Sequence, residues 1–375
     1  MPRKHRIVLG GLAALILAAG GATLGAAIKG RPITVTKDTD LAFDLPAPVR
    51  ESLYYASLAP NSHNAQMWQV TAYPSRGELA IALDPDRLLP VTDPAGREAL
   101  ISVGAFTENL VQSLEAYGYE VEVTTTQVAE AGRDGPVVIV HYGGNPGEPD
   151  GIGQQALEAM TLRHTEKGVM LALPLTAAQL EALAAVPGVT YFQDGSDGFA
   201  YLAGGTVTAY RDQANDLAAR QELAGWLRLS NGEALAQRDG LPAEQLGITG
   251  ITKTLYYLTT SQADLTGDSF ANQGISRTEK QVDGAAGFAV LVGDDPITAG
   301  RDLERLWLAA TRAGVSVQPM SQILEDPAAA AALPAALGLT GTPQMILRVG
   351  RVSGDYGQNL GLRRPLAEFV TNGEP

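Results

Sequence analysis

The sequence predicts an α+β fold with two related halves, because helical and strand-like segments alternate and because part of the pattern is repeated. Amphipathic helical patterns are followed by short apolar runs of strand length. Aligning Ile101 with Ile297 also aligns Gly104 with Gly300, inside two long helical segments that each lead into a short apolar stretch. We therefore expect the second half of the chain to repeat the architecture of the first.

Each half is expected to contain helices and short strands in a similar order. The predicted helices are 49–58, 97–117 and 328–337, and the predicted strands are 68–73, 79–83, 121–125, 137–142, 287–292 and 344–349. Pro74 to Gly77 form the turn between the first two strands, and Gly118 ends the long helix of the first half. The expected units are an N-terminal segment (1–30), a tether (31–48), a first repeat (49–150) and a second repeat (151–375).

The N-terminal segment has the composition of a membrane-directed sequence. Residues 7–28 are Ile, Val, Leu, Ala and Gly with a single Thr, and positions 3–6 are basic. Such a run is long enough to cross a hydrocarbon core of about 30 Å as a helix, and its small residues also suit cleavage by a signal peptidase. A membrane anchor and a cleaved signal both remain open. Either one predicts a protein that is anchored or exported, with its folded part outside the cytoplasm.

Composition excludes several classes of function. The chain has 27 basic and 41 acidic residues, a net charge of -14, which disfavours a nucleic-acid groove. It has no cysteine, which excludes thiolate metal sites and disulfides. Its four histidines are far apart, so we expect no metal site. An anionic small molecule would have to be bound by a few well-placed basic side chains.

Three segments are rich in polar or basic side chains. Residues 59–68 contain amides, a hydroxyl and a histidine, which can donate and accept hydrogen bonds toward a planar heterocycle. Residues 163–167 contain Arg, His, Thr and Lys, a set that suits a phosphate. Residues 362–366 contain an arginine pair. Taken singly, each segment also fits an ordinary turn, helix end or surface.

Taken together, these segments resemble the nitroreductase family of FMN flavoproteins, and most closely its fused, two-repeat Acg-like branch. Residues 59–68 are similar to the family segment A-P-S-x-x-N-x-Q-P-W, although Asn61 replaces the usual serine and Met67 the usual proline. Residues 163–167 are similar to the R-[RH]-[ST]-x-[RK] phosphate motif, and 363–366 to the closing arginine-proline element. The resemblance extends over about residues 48–370. It implies a nitroreductase-like fold with both halves forming a pseudo-dimer within one chain.

The resemblance also implies an FMN site, which family members build between two subunits. The residues implied to bind FMN are Pro60, Asn61, Ser62, Asn64, Gln66, Arg163, His164, Thr165, Lys167, Arg363 and Arg364. The arginines and Thr165 are implied to hold the phosphate, and Lys167 to approach N1 and O2 of the flavin ring. No catalytic residue beyond the flavin is implied, since hydride moves to and from its N5 atom. The chain is expected to be a monomeric pseudo-dimer or a homodimer.

Three functions follow as hypotheses. The first is an FMN-dependent oxidoreductase that reduces an aromatic or quinone-like acceptor by ping-pong hydride transfer, with NAD(P)H as a possible donor. The second is a protein that binds and sequesters FMN with little or no turnover, in which residues 190–238, with Gly204 and Gly205 as flexible points, cover the flavin. The third is an anchored extracytoplasmic domain without a cofactor.

Overall fold

Two sheets and two long central helices organise the chain. The structure is a computed structural model that describes residues 30–126, 135–354 and 356–374, so the apolar run at 7–28 lies outside the described residues. The α-helices of the described ranges are α1 (Ala47–Ser57), α2 (Arg97–Ala116), α3 (Gly151–Leu162), α4 (Ala177–Ala184), α5 (Asp197–Asn215), α6 (Leu217–Trp226), α7 (Asn231–Gln237), α8 (Gly250–Thr259), α9 (Asp268–Asp283), α10 (Pro296–Arg312) and α11 (Pro327–Leu337).

The strands form one sheet of five members and one of four. They are β1 (Trp68–Tyr73), β2 (Glu78–Leu83), β3 (Glu120–Thr125), β4 (Pro136–Gly143), β5 (Val189–Gln193), β6 (Gly287–Val292), β7 (Ser316–Pro319), β8 (Pro343–Gly350) and β9 (Val370–Asn372). The predicted helices and strands are confirmed, with boundaries that differ by two residues or fewer. The predicted α+β class is therefore confirmed.

The two sheets share a topology. The first sheet has the strand order β3-β4-β2-β1-β9, and the second has the order β5-β6-β8-β7. Read in reverse, the second order is β7-β8-β6-β5. This order and the first four strands of the first sheet both run third, fourth, second and first in chain order. In the first sheet the long helix α2 follows β2 and precedes β3 in the chain, and in the second sheet α10 follows β6 and precedes β7. Within each set of four strands, every neighbouring pair is antiparallel. This correspondence supports the predicted pair of repeats.

An irregularity in strand pairing recurs in both sheets. In the first, the register shifts between Ile81 and Ala82, and Ala82 then lies opposite Pro136. In the second, the shift precedes Val292, which lies opposite Pro343. Proline lacks the N–H that a regular ladder would use, so a shift beside the first residue of β4 and of β8 is physically expected.

The C-terminal end of the chain completes the core of the first half. Trp68 of β1 packs against Phe106 of α2 with 4.8 Å between ring centroids, and Phe106 meets Phe369 at 6.2 Å. Val370 of β9 pairs in parallel with Val70 of β1. Leu366–Glu368 form a single helical turn, and the apolar residues that follow it, Phe369 and Val370, are buried in the core of the first half.

A helical segment separates β5 from β6 and contains α5 to α9. Gly204 and Gly205, expected to be flexible points, lie within the continuous helix α5. A Cβ at Gly205 would come within 2.8 Å of the Ile323 side chain, so close packing accounts for this glycine. None of the helices in the described ranges combines the length and the hydropathy needed to span a bilayer.

Candidate functional site

The loop after α1 has a strained backbone. His63, Asn64 and Gln66 have φ angles of 56°, 53° and 57°, in the left-handed region that residues other than glycine seldom adopt. Side chains hold this conformation, since the Asn61 side-chain oxygen accepts a hydrogen bond from the Gln66 N–H at 2.8 Å. Such strain is often found at binding sites. It occurs in the segment that the sequence predicts to contact a ring.

The predicted loop and both predicted basic segments meet at the end of α1. Arg163 Nη2 donates to the Leu58 carbonyl oxygen at 2.5 Å, and Arg363 Nη2 donates to the same oxygen at 3.0 Å. The arginines come from residues 163–167 and 362–366, and Leu58 directly precedes the loop. The carbonyls at the end of a helix carry partial negative charge and attract cations. Segments distant in sequence are therefore brought together, as a single site requires.

Arg363 uses its hydrogen-bond donors on the protein itself. Its acceptors are the carbonyl oxygens of Ser57, Leu58, Ala59 and Leu362 and the side-chain oxygen of Asn64. A guanidinium has five N–H donors, and these five bonds account for all of them. Burial, and then the charge of Arg163, lowers the pKa of Arg363. Binding of a phosphate by Arg363 would require it to exchange some of these partners.

Arg364 is also held by the protein. Its Nη1 donates to Asp84 Oδ2 at 3.2 Å, and its Nη2 donates to the carbonyl oxygens of Gln66 at 2.6 Å and Trp68 at 3.0 Å. Its backbone N–H donates to Gln66 Oε1 at 2.8 Å. Arg364 is 4% exposed. These bonds tie the closing element to the start of β1, so the geometry favours a structural role for Arg364.

Arg163 is enclosed by a carboxylate and an aromatic ring. Its Nε lies 3.3 Å from Glu304 Oε1, and its guanidinium lies 4.8 Å from the centroid of the Trp307 ring. Arg163 and Glu304 are 2% and 0% exposed. Burial raises the pKa of Glu304 to about 7, and the charge of Arg163 opposes that rise. Arg163 therefore forms a buried ion pair beside the helix end that it caps.

Lys167 approaches a different group of side chains. A Cβ at Gly247 would lie 3.2 Å from Arg277 Nη2 and 3.5 Å from Lys167 Cβ, so the two basic residues flank this glycine. Burial, and then the charge of Arg277, lowers the pKa of Lys167 to about 8. Burial, and then the charge of Lys167, lowers the pKa of His63 to about 4, so its ring is neutral at pH 7. Two cations and a neutral imidazole therefore lie close together.

These two cations lack a counter-charge in the described part of the chain. No carboxylate is among the groups that shift the pKa of Lys167 or Arg277, and Tyr210 is the neighbour that raises the pKa of Arg277. The described residues give neither cation an ion pair. Adjacent cations that are partly removed from water repel each other. An anionic group placed between them would relieve this repulsion.

A cavity of about 50 Å³ lies beside this cluster. Its walls include His63 from the strained loop and Tyr210 and Gln213 from α5. The remaining lining residues are Thr92, Ala214, Ala219, Arg220, Leu223, Leu265, Phe270 and Ala271. Most of these belong to α5, α6 and α9, so the helical segment between β5 and β6 covers the predicted loop.

Two carboxyl groups are hydrogen-bonded to residues of the cavity wall and of the strained loop. Gln213 donates to Glu325 Oε2, and Ser62 Oγ donates to Glu98 Oε2 at 2.6 Å. Burial, and then the charge of Glu98, raises the pKa of Glu325 to about 8. Glu325 is therefore largely protonated at pH 7, while cations occupy the region near Lys167.

The structure distributes the predicted site residues over two neighbouring locations. Arg163, Arg363 and Asn64 meet at the end of α1, whereas Lys167 points to the cavity region. His164 contacts the Leu162 carbonyl oxygen at 2.9 Å and packs edge-on against Tyr356. The remaining members of the predicted set are Pro60, Asn61, Ser62, Gln66, Thr165 and Arg364. Their predicted contacts to FMN stay predictions.

Sequence reasoning missed three residues of the cavity region, namely His63, Tyr210 and Arg277. His63 belongs to the quoted loop, and its left-handed backbone could have been suspected from the Asn-Ser-His-Asn composition. Tyr210 and Arg277 lie on α5 and α9 in positions that no sequence motif distinguishes. Only the packing of these helices over the loop brings them to Lys167.

Comparison with known proteins agrees with the resemblance. Mycobacterium tuberculosis contains "Putative NAD(P)H nitroreductase Rv3131", named MT3217 in a second strain, which is 26% identical over 314 residues, covering 80% of this chain and 84% of the relative. "Putative NAD(P)H nitroreductase acg" of the same organism is 35% identical over 75 residues, covering 20% of this chain and 22% of the relative. The chain is similar to nitroreductases, Acg among them. No family model matches this nitroreductase-like chain.

One solved structure also aligns with the nitroreductase-like chain. It is the FMN-dependent nitroreductase NfnB from Mycobacterium smegmatis in complex with NADPH, with a TM-score of 0.37 and 14% sequence identity. The alignment covers 60% of this chain and 100% of that chain.

Proposed function

We propose that this chain is an FMN-dependent oxidoreductase that passes hydride from a reduced nicotinamide donor to an aromatic or quinone-like acceptor in a ping-pong reaction. The reaction class comes from the names of the relatives, which are NAD(P)H nitroreductases. The observation that carries the proposal is the pair Lys167 and Arg277, which lacks a counter-charge in the described residues and lies close to His63. Such a pair suits a ligand that is, or becomes, anionic.

The chain's residues fit a flavin in part. When bound, FMN would supply hydride acceptance and donation at its N5 atom. Lys167 and Arg277 would hold the N1 and O2 edge of the ring, where negative charge develops on reduction, and so favour the reduced form. The strained loop with neutral His63 would contact the ring without adding charge. These are positions where this chain can orient and stabilise a flavin.

The phosphate end fits less directly. Arg363 has all five donors on protein acceptors, and Arg163 is paired with buried Glu304. A phosphate would therefore have to compete with these partners or bind elsewhere near the end of α1. Thr165 is a predicted phosphate ligand whose hydroxyl is not used by these bonds. We propose that Arg163 and Arg363 act first as supports for the loop that follows α1.

The second candidate, a protein that holds FMN with little turnover, rests on a separate observation. The cavity beside His63 measures about 50 Å³ and is enclosed by α5, α6 and α9. Small-molecule sites usually occupy about 300–1,000 Å³. A flavin ring could enter only if these covering helices moved, and the same helices would then limit access of donor and acceptor. Covering of the flavin is the property that a sequestering protein needs.

An anaerobic absorbance experiment separates these functions. Purified protein is expected to bind added FMN, and NADH or NADPH should bleach the flavin band, which a quinone should restore. A yellow protein that neither nucleotide bleaches would support sequestration. Colourless, folded protein that FMN does not stabilise against heat would contradict both and leave the cofactor-free domain as the function.

The location of the protein is also a proposal. Residues 7–28 would either anchor the chain or be removed as a signal, and the folded part would lie outside the cytoplasm. The intact mass of the protein recovered from membranes and from the soluble fraction distinguishes the two. A full-length mass in the membrane fraction supports an anchor, whereas a shortened mass in the soluble fraction supports cleavage.

A further inference from the structure

Helix α8 carries an exposed apolar stripe formed by Ile251, Leu255 and Leu258. These side chains are 82%, 54% and 53% exposed. With 3.6 residues per turn, positions i, i+4 and i+7 fall within an arc of about 60° on one face of the helix. Three large apolar residues on one face are uncommon at a free surface, and such patches mark contact with a partner or a membrane.

The stretch of chain that contains α8 also has few charged residues. Between Gln245 and Ala263 the only charged residue is Lys253, which is 1% exposed. Lys253 faces the protein, where it donates to Glu244 Oε1. This stretch offers nothing for electrostatic recognition of a charged partner, and it suits an uncharged apolar environment.

The α8 helix is attached to the point where the N-terminal apolar run ends. Lys253 Nζ donates to the Arg31 carbonyl oxygen at 2.8 Å, and the Ile33 N–H donates to Glu244 Oε1 at 3.0 Å. The apolar run ends at Ile28, three residues before Arg31. Three extended residues span at most about 11 Å. The first described residues after the membrane-directed run therefore contact α8 and the turn before it.

We propose that the α8 stripe lies in the surface of a lipid bilayer, beside the N-terminal segment. A helix with one apolar face rests in the plane of the membrane with that face among the upper acyl chains. Because the only charged residue between Gln245 and Ala263 is the buried Lys253 and the protein is acidic, we expect the contact to require no anionic lipid. The folded part of the chain would then be held in one orientation on the membrane, fixed by the N-terminal segment and by α8. The proposal rests on the proposed membrane location and is independent of the redox chemistry.

Site-specific labelling of the full-length chain tests this contact. The natural chain has no cysteine, so Leu255→Cys provides a single labelling position. Ile152→Cys on α3 is the matched control, because Ile152 is an apolar residue that is 78% exposed. Each variant is labelled with an environment-sensitive fluorophore and placed in phosphatidylcholine nanodiscs, with and without lipids that carry a quencher in their acyl chains.

The expected result is a blue-shifted label at position 255 that loses intensity when the quencher lipid is present, and a water-exposed label at position 152. Leu258→Cys should behave like Leu255→Cys. Two results would overturn the proposal. Either label 255 remains as exposed to water as label 152, or it is shielded without quenching by lipid, which would mean that a second copy or the N-terminal segment covers α8. Failure of the full-length chain to enter nanodiscs would also overturn it, together with the proposed location.

Discussion

Gly104 and Gly300 touch each other where the two central helices cross. A Cβ on Gly104 would lie 2.1 Å from the Ile297 carbonyl oxygen, and a Cβ on Gly300 would lie 2.1 Å from the Ile101 carbonyl oxygen. Each Cβ would also be 2.9 Å from the Cα of the other glycine. This reciprocity is the relationship found at a two-fold axis between identical subunits. Here the same relationship joins two helices of one chain. The four residues involved are the pairs that align in the sequence, Ile101 with Ile297 and Gly104 with Gly300.

An alanine at either glycine should destabilise the fold. Because the nearest atoms are backbone atoms that cannot rotate away, we expect Gly104→Ala and Gly300→Ala each to lower the free energy of unfolding by about 3 kcal/mol. The two effects should be similar and not additive, since both separate the same helix pair. Gly204→Ala is the control, as its Cβ would meet nothing within 4 Å inside α5, and it should be neutral or slightly stabilising. Urea denaturation measures the free energy of unfolding of all variants. A Gly104→Ala variant of wild-type stability would contradict the close crossing of the helices.

The ion pair between Arg163 and Glu304 should be required for stability whether or not FMN binds. Arg163→Met leaves a buried carboxylate without its cation, which usually costs about 3–5 kcal/mol. The loss should be largest at pH 8, where Glu304 is mostly charged, and smaller at pH 5. Adding Glu304→Gln to Arg163→Met should restore part of the stability. If the single variant unfolds like the wild type at pH 8, Arg163 is not the structural support described above.

The raised pKa of Glu304 predicts how stability depends on pH. Burial raises this pKa to about 7, whereas an unfolded glutamate titrates near about 4.3. Between these values the folded state binds more protons, so the contribution is fully present below about pH 4.3 and is lost as the pH rises through about 7. Glu304→Gln should remove this decline, which is at most about 4 kcal/mol. Urea unfolding at several pH values measures it, and an unchanged slope in the variant would disprove the assignment. Glu325, whose pKa burial raises to about 8, adds a decline of its own in both proteins, so the difference between the two proteins at each pH isolates Glu304.

Removal of either cation near the cavity should weaken FMN binding. Lys167→Met and Arg277→Met each remove a charge-assisted contact of about 1.5–3 kcal/mol, which corresponds to about a 10- to 100-fold increase in Kd. Arg211→Met is the control, because Arg211 forms an exposed ion pair with Glu279 on the same helical segment. Quenching of FMN fluorescence gives the Kd values. Equal Kd values for wild type and both cavity variants would move the flavin site elsewhere.

The pKa of Lys167 adds a pH dependence to the same measurement. Burial and Arg277 lower this pKa to about 8, so the side chain is charged below that pH and loses its charge above it. FMN affinity in the wild type should therefore fall as the pH rises through about 8. In Lys167→Met this fall should be absent. Affinity that declines equally in both proteins would assign the pH effect to another group.

Two glutamates that align between the central helices, Glu108 and Glu304, have different partners. Glu108 aligns with Glu304, and in the first position Glu108 binds Arg305 with Nε and Nη2 both 2.8 Å from its oxygens. Under the same offset Arg305 aligns with Asn109, and the Asn109 amide lowers the pKa of Glu304. Arg305 in the second half thus corresponds to the neutral amide of Asn109 in the first half. Glu304 is free to pair with Arg163, a partner that alignment could not identify.

The sequence by itself determined the predicted helices and strands, among which α4 to α9 are missing, and it singled out three polar or basic segments. Apolar periodicity and turn residues act locally, so the helices and strands could be placed to within two residues. The polar loop and the basic segments were recognisable because their residue types are unusual for a plain core or surface. The composition of residues 7–28 likewise needed no fold to be interpreted.

Only the tertiary structure decided which partner each charged side chain takes. Arg363 was expected to bind phosphate, yet the carbonyls at the end of α1 take three of its donors, because acceptors offset the cost of burying a guanidinium. Arg277 and Tyr210 reach Lys167 through helices inserted more than forty residues away along the chain. The sequence shows which residue types a segment contains, but it does not show how far that segment lies from remote segments in the folded protein. Packing sets those distances, and with them the charge balance of the site.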